Sequence, residues 1–125
     1  MKLQGITPIL RIFDEEKAKS FYVGYLGFKI DWEHRFEEQL PLYMQLSKDD
    51  IKLHVSEHYG DCSPGAAIRI EMAGLEAYHR SLIEKQNKYS RPGLERMPWG
   101  SDECTVTDPF GNRIIFYENH SEAER

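Results

Sequence analysis

The sequence predicts an α+β fold: two tandem βαβββ units forming a curved eight-stranded mixed sheet, with helices on the outer face and a concave cleft. Three observations predict it. Strand-like and helix-like segments occur twice in the same order. Leu10-Arg11-Ile12 matches Ile68-Arg69-Ile70 at a lag of 58, and Lys52-Leu53-His54-Val55-Ser56-Glu57 matches Arg113-Ile114-Ile115-Phe116-Tyr117-Glu118 at a lag of 61. One linker-like stretch, His58 to Gly65 (HYGDCSPG), falls at the midpoint. A single domain over 1–125 is expected, with half-units at about 3–57 and 66–118 and a linker at about 58–65.

Each element has its own signal. Leu3 to Phe13 is β-rich and reads as a strand. Asp14 is an N-cap, with Glu15 and Glu16 in the first turn, where the helix dipole favours anions. Ala18, Phe21, Tyr22 and Tyr25 then form one apolar helix face, and Gly27 ends the helix. Phe28 to Phe36 alternates as Phe28, Ile30, Trp32. Leu40 to Leu46 alternates as Leu40, Leu42, Met44, Leu46. Lys48-Asp49-Asp50 is a turn, and Ile51, Leu53 and Val55 alternate again. In the second half, Ala66 to Met72 reads as a strand. Gly74 to Lys85 is a helix with Leu75, Tyr78 and Leu82 on one face, and Lys88 to Gly100 is irregular. Glu103 to Thr107 and Arg113 to Glu118 are strands around the turn Asp108-Pro109-Phe110-Gly111-Asn112. The tail from His120 is polar and is expected to fray.

Composition narrows the function. The chain is 40% hydrophobic, and at this length roughly two-thirds of the unfolded surface is buried, so a core needs no staple. The net charge of −5 argues against a phosphate-backbone binder and suits a cationic ligand. No apolar run approaches a membrane span, and a strand starting near Met1 leaves no room for a signal peptide. Cys62 and Cys104 have neither CxxC spacing nor a neighbouring His pair, so two reduced thiols in a cytoplasmic protein are expected.

Several phrases carry a resemblance: Ile9 to Asp14 (ILRIFD), Phe21-Tyr22, Leu26-Gly27-Phe28, Pro98-Trp99-Gly100 and the Asp108 to Asn112 turn. Over about residues 5–118 the chain resembles the vicinal oxygen chelate superfamily of glyoxalases, extradiol dioxygenases and bleomycin resistance proteins. Pro98-Trp99-Gly100, then Glu103, then the DPxGN turn, resembles the bleomycin resistance branch. Metal enzymes of the superfamily use four inward-facing His or Glu ligands. The resemblance places those positions at Thr7, His54, Gly65 (or Ala66 or Ala67) and Ile115. Only His54 among them ligates a divalent metal well, which argues against a metal site and against catalysis.

The resemblance also implies a ligand groove. Trp99 and Trp32 match aromatics that line it in the bleomycin resistance branch; Phe36 is a third candidate. Flat rings suit a planar ligand because stacking needs no hydrogen bonds. His54 faces the expected cleft, either as a hydrogen-bonded half-buried histidine or as a ligand contact. Glu103 leads a set of acidic residues (Asp31, Glu33, Glu37, Glu38, Asp61, Asp102) that would attract a cation. Tyr43 and Tyr59 line the cleft or pack at its rim. The implied function is a non-catalytic homodimeric binder of a cationic, planar-tailed antibiotic, without cofactor, nucleic acid or membrane. The alternatives are a glyoxalase-like metal-dependent lyase or isomerase, and a binder of a different metabolite.

Overall fold

The structure, a computed structural model, describes residues 1–88 and 90–120. Its elements run β1 (Ile9–Arg11), α1 (Glu15–Lys19) continuing into a π-helical segment (Ser20–Tyr25), β2 (Lys29–His34), β3 (Tyr43–Lys48) and β4 (Ile51–Ser56). Then follow β5 (Ala67–Glu71), α2 (Leu75–Glu84), β6 (Glu95–Arg96), β7 (Ser101–Thr107) and β8 (Arg113–Asn119). The fold is α+β with two βαβββ units, as expected. The eight strands are hydrogen-bonded as two mixed sheets of four, ordered β1-β4-β3-β2 and β5-β8-β7-β6. The chain divides into two compact units with the boundary between Ala66 and Ala67.

In the first unit β1 pairs parallel to β4, and β4-β3-β2 are antiparallel. A parallel neighbour needs a crossover, and the helix supplies it. Asp14 caps α1 by accepting from Lys17 N at 2.8 Å. The wide π turn closes with Leu26 N donating to Phe21 O at 2.9 Å, and it buries Phe21, Tyr22, Tyr25 and Leu26 together. Gly27 follows with φ +88°, the left-handed conformation that ends the helix. Leu10, Met44, Leu46, Leu53 and Val55 form the buried face of this sheet. The opposite face carries Tyr43, Gln45, Ser47 and His54, and it is where the candidate site lies.

The second unit repeats the plan. β5 pairs parallel to β8, and α2 lies against β7 and β8, with Tyr78 edge-on to Phe116 at 5.1 Å. Glu118, on β8, accepts from Gly74 N and Leu75 N and so caps α2. The Asp108 to Asn112 turn is held by the Asp108 carboxylate. It accepts from Phe110 N, Asn112 N and Asn112 Nδ2 at 2.8–2.9 Å, and Gly111 takes φ +91°.

Four expectations need correction. The first strand is only Ile9–Arg11; residues 1–8 are not strand, and Pro8, which has no N–H, contributes only its carbonyl, to His54 N. β2 ends at His34, not Phe36, and β3 begins at Tyr43, not Leu40. The stretch 88–100 is not wholly irregular, because Glu95–Arg96 pairs with Asp102 and Glu103. Finally, Ile12 N donates to Ser56 O as Met72 N does to Tyr117 O, so Ile12 is equivalent to Met72. The sequence match had selected Ile70, two residues earlier. Leu and Ile recur at both offsets, which is how a strand match slips by one pleat. His120 is tied down by its N–H to Gly100 O at 2.9 Å; the rest of the expected frayed tail lies outside the described residues.

Candidate functional site

A β-bulge builds the site. Ile30 pairs with Leu46, but Trp32 pairs with Gln45, so Asp31 is the extra residue between them. One extra residue reverses the alternation beyond it. The sequence alternation put Trp32 on the face of Phe28 and Ile30. The structure instead puts it on the polar face, beside Tyr43 and His54. Its ring stacks on Tyr43 (centroids 6.0 Å, interplanar 11°) and meets His54 edge-on at 5.3 Å. Trp32 remains 42% exposed.

A hydrogen-bond chain runs through the same face. Tyr43 Oη lies 2.7 Å from His54 Nδ1, and His54 Nε2 lies 3.0 Å from Gln45 Oε1. Gln45 Nε2 donates to Asp31 Oδ2 and Ser47 Oγ to Asp31 Oδ1, both at 2.9 Å. Those bonds from Gln45 and Ser47 hold the Asp31 carboxyl below its ordinary pKa. Burial lowers the His54 pKa and raises that of Tyr43, so His54 is neutral at neutral pH.

Tyr43 is also one wall of a groove of about 690 Å³ within the first unit. Phe36 and Tyr59 contribute exposed rings to it (85% and 84% exposed), with His34 edge-on to Phe36 and His58 stacked on Tyr59. Leu40, Pro41 and Leu42 give it an apolar lining, while Arg11, Glu57 and Asp61 supply charge. Two anchors shape the walls. Ser56 Oγ donates to Asp61 Oδ2 and accepts from His58 N, which fixes the loop carrying Tyr59. Arg35 donates to Leu40 O and pairs with Glu15, which fixes the loop carrying Phe36.

Of the residues expected to bind ligand, Phe36 lines this groove, while Trp32 and His54 stand against its Tyr43 wall. Trp99 and Glu103 belong to the second unit. Trp99 sits at the tip of the β6–β7 hairpin, 59% exposed, after Pro98 and before Gly100, whose φ is +90°. Glu103 is buried, with its carboxylate 3.0 Å from Arg69, and Arg69 lies over the Tyr117 ring at 4.4 Å. Others of the acidic set are also locally engaged: Glu33 with Lys19, Asp61 with Ser56, and Asp102 with Arg96 and His120. Glu37 and Glu38 are exposed. Gln45 was missed. Its signal was the residues between Leu42, Met44 and Leu46, which a strand must send to the other face.

The donor set does not fit a metal. Thr7 is exposed and Ile115 is aliphatic; the corrected register makes Ala67, not Gly65, the equivalent of Thr7, and its methyl cannot ligate either. Both His54 nitrogens are hydrogen-bonded within the protein. Among the described residues no three His, Cys, Asp or Glu side chains cluster as metal ligands do.

A family model described as glyoxalase superfamily protein matches residues 1–123. The chain belongs to the glyoxalase superfamily. Solved structures share the superfamily fold. One is a bleomycin-binding protein from the bleomycin-producing Streptomyces verticillus, in complex with copper(II)-bleomycin. It is 26% identical, with TM-score 0.72 over 96% of this chain and 99% of that one. TnmS3, an antibiotic binding protein from Streptomyces sp. CB03234, is 21% identical, with TM-score 0.74 over 96% and 99%. A glyoxalase/bleomycin resistance protein/dioxygenase superfamily member from Sphaerobacter thermophilus is 20% identical, with TM-score 0.69 over 94% and 98%. The likeness to the last two is one of fold alone. No curated protein matches the chain.

Proposed function

We propose that this glyoxalase-superfamily chain is a non-catalytic binding protein that sequesters a planar-tailed, cationic antibiotic of the bleomycin type. The observation that carries the reading is the groove between the exposed Phe36 and Tyr59 rings, backed by the Trp32–Tyr43–His54 cluster. Such walls hold flat ligands by stacking, and nothing in the donor set offers a metal the ligands it needs. The net charge of −5 adds a weak long-range attraction for cations. The bleomycin-binding relative supports the ligand class. Trp99, exposed at its hairpin tip, is a second stacking surface, whereas buried Glu103 is paired with Arg69. The protein works as a cytoplasmic homodimer, with one ligand per chain.

Calorimetric titration with copper-free bleomycin tests this. Saturable binding at one drug per chain, unchanged by a chelator, is expected. Phe36→Ala should weaken it by about 1–3 kcal/mol, the worth of one stacked ring. A stoichiometric divalent ion retained by the drug-free protein would favour the metal-dependent lyase reading instead. No binding, with another planar metabolite retained from a screen, would transfer the groove to that ligand.

A further inference from the structure

The hydrogen-bond chain on the sheet face has a direction, and Asp31 sets it. An ionised carboxylate only accepts, so Gln45 must present its NH2 to Asp31 Oδ2 and its Oε1 to His54. Facing an oxygen, His54 Nε2 must carry the hydrogen. Neutral imidazole has one N–H, so Nδ1 is bare and accepts. The Tyr43 hydroxyl hydrogen is therefore spent on His54 Nδ1, at 2.7 Å. What remains on Tyr43 Oη is lone-pair density, and Tyr43 is a wall of the groove.

We propose that Tyr43 is a specificity-determining residue: it meets the groove as a hydrogen-bond acceptor only, so the site selects flat ligands that carry an N–H or O–H donor on their edge. His54, Gln45 and Asp31 are positioning residues that hold this polarity. A ligand offering only an acceptor there would face Tyr43 oxygen to oxygen with no hydrogen between them, which leaves both groups unpaired. Asp61 on the same groove favours the same class, because a protonated amine or amidine is a donor with charge; Glu57 is already engaged by Leu42 N and Arg35. The inference rests on the groove being the ligand site, as proposed above.

Two measurements on the full chain test it. The first is the imidazole ¹⁵N spectrum of His54, which distinguishes a protonated ring nitrogen from a bare one. Nε2 protonated and Nδ1 bare is expected at neutral pH, and Asp31→Asn, which can donate where Asp31 only accepts, should relax that preference. The opposite tautomer in the wild type overturns the proposal. The second is an amide NMR titration with indole and with benzofuran, neutral bicycles of nearly equal shape, of which only indole carries a donor. Wild type should bind indole about three- to tenfold more tightly, the worth of one ordinary hydrogen bond. Tyr43→Phe should level the two. Bleomycin binding without that preference, or a preference that survives Tyr43→Phe, overturns this inference alone. An indole preference without bleomycin binding supports it and overturns the choice of drug. No groove response to indole, benzofuran or bleomycin overturns both.

Discussion

One residue inserted into a strand turns every later side chain to the other face of the sheet. Asp31 is that residue in β2: in a regular ladder Asp31 would stand opposite Gln45 and Trp32 opposite Met44, away from the face of Tyr43 and His54. Deleting Asp31 should therefore close the bulge and leave Trp32 opposite Gln45 and stacked on Tyr43, with its emission little changed; a large shift in the tryptophan emission would remove the bulge from the account. Alternation alone could not reveal this, because Phe28, Ile30 and Trp32 are all apolar and fit a regular strand equally well. His54 was more legible: its place on β4 opposite Leu53 and Val55 followed from simple period two. Its protonation has a consequence for stability. Burial lowers its pKa in the folded state below the ordinary 6.5, so the unfolded chain binds the proton more readily. This contribution is fully present above about pH 6.5 and is lost as pH falls through the folded pKa. His54→Asn should flatten the drop in urea midpoint between about pH 7.5 and about pH 5. Cys104 offers a second check. Burial pushes its thiol up to about 11, so it should resist a thiol reagent at neutral pH until the chain unfolds, after the less buried Cys62 has reacted.

At the scale of elements, the caps and turns were the clearest signals because single side chains make them. Asp14 accepts from Lys17 N, and Asp14→Ala should cost about 1 kcal/mol. Asp108 is buried with three donors in the DPFGN turn, and Asp108→Ala should cost about 2–3 kcal/mol by leaving them unpaired. Denaturant melts of the two variants test the ranking; equal losses would mean that the turn relaxes to water. The ends of strands were less legible. The apolar residues Leu3 and Ile6 promised a longer first strand, yet both are exposed and the ladder begins only at Ile9. β6 is two residues long, too short for any periodicity to announce it. The groove walls were hidden for a related reason. Phe36 and Tyr59 stand on loops, and their positions depend on Arg35 and Ser56, contacts that no local pattern encodes.

At the scale of the whole molecule, duplication carried the fold. The same βαβββ order appears in both units, and β4 and β8 occupy equivalent places beside a parallel first strand. The two units have diverged in chemistry. Where the first presents Trp32, Tyr43, Gln45 and His54, the second presents Arg69 paired with buried Glu103, with Tyr117 beneath the guanidinium. Much of the acidic charge that suggested a cationic ligand is satisfied within the protein, so the proposed function assigns recognition to the aromatic groove and its hydrogen-bond polarity. The most direct test of that claim is tryptophan fluorescence during titration with copper-free bleomycin. Trp32 and Trp99 are the chain's two tryptophans, and Trp32 is stacked on the groove's Tyr43 wall. The account predicts a saturable change at one drug per chain, diminished in Trp32→Phe and in Phe36→Ala. An unchanged spectrum up to high micromolar drug would contradict it.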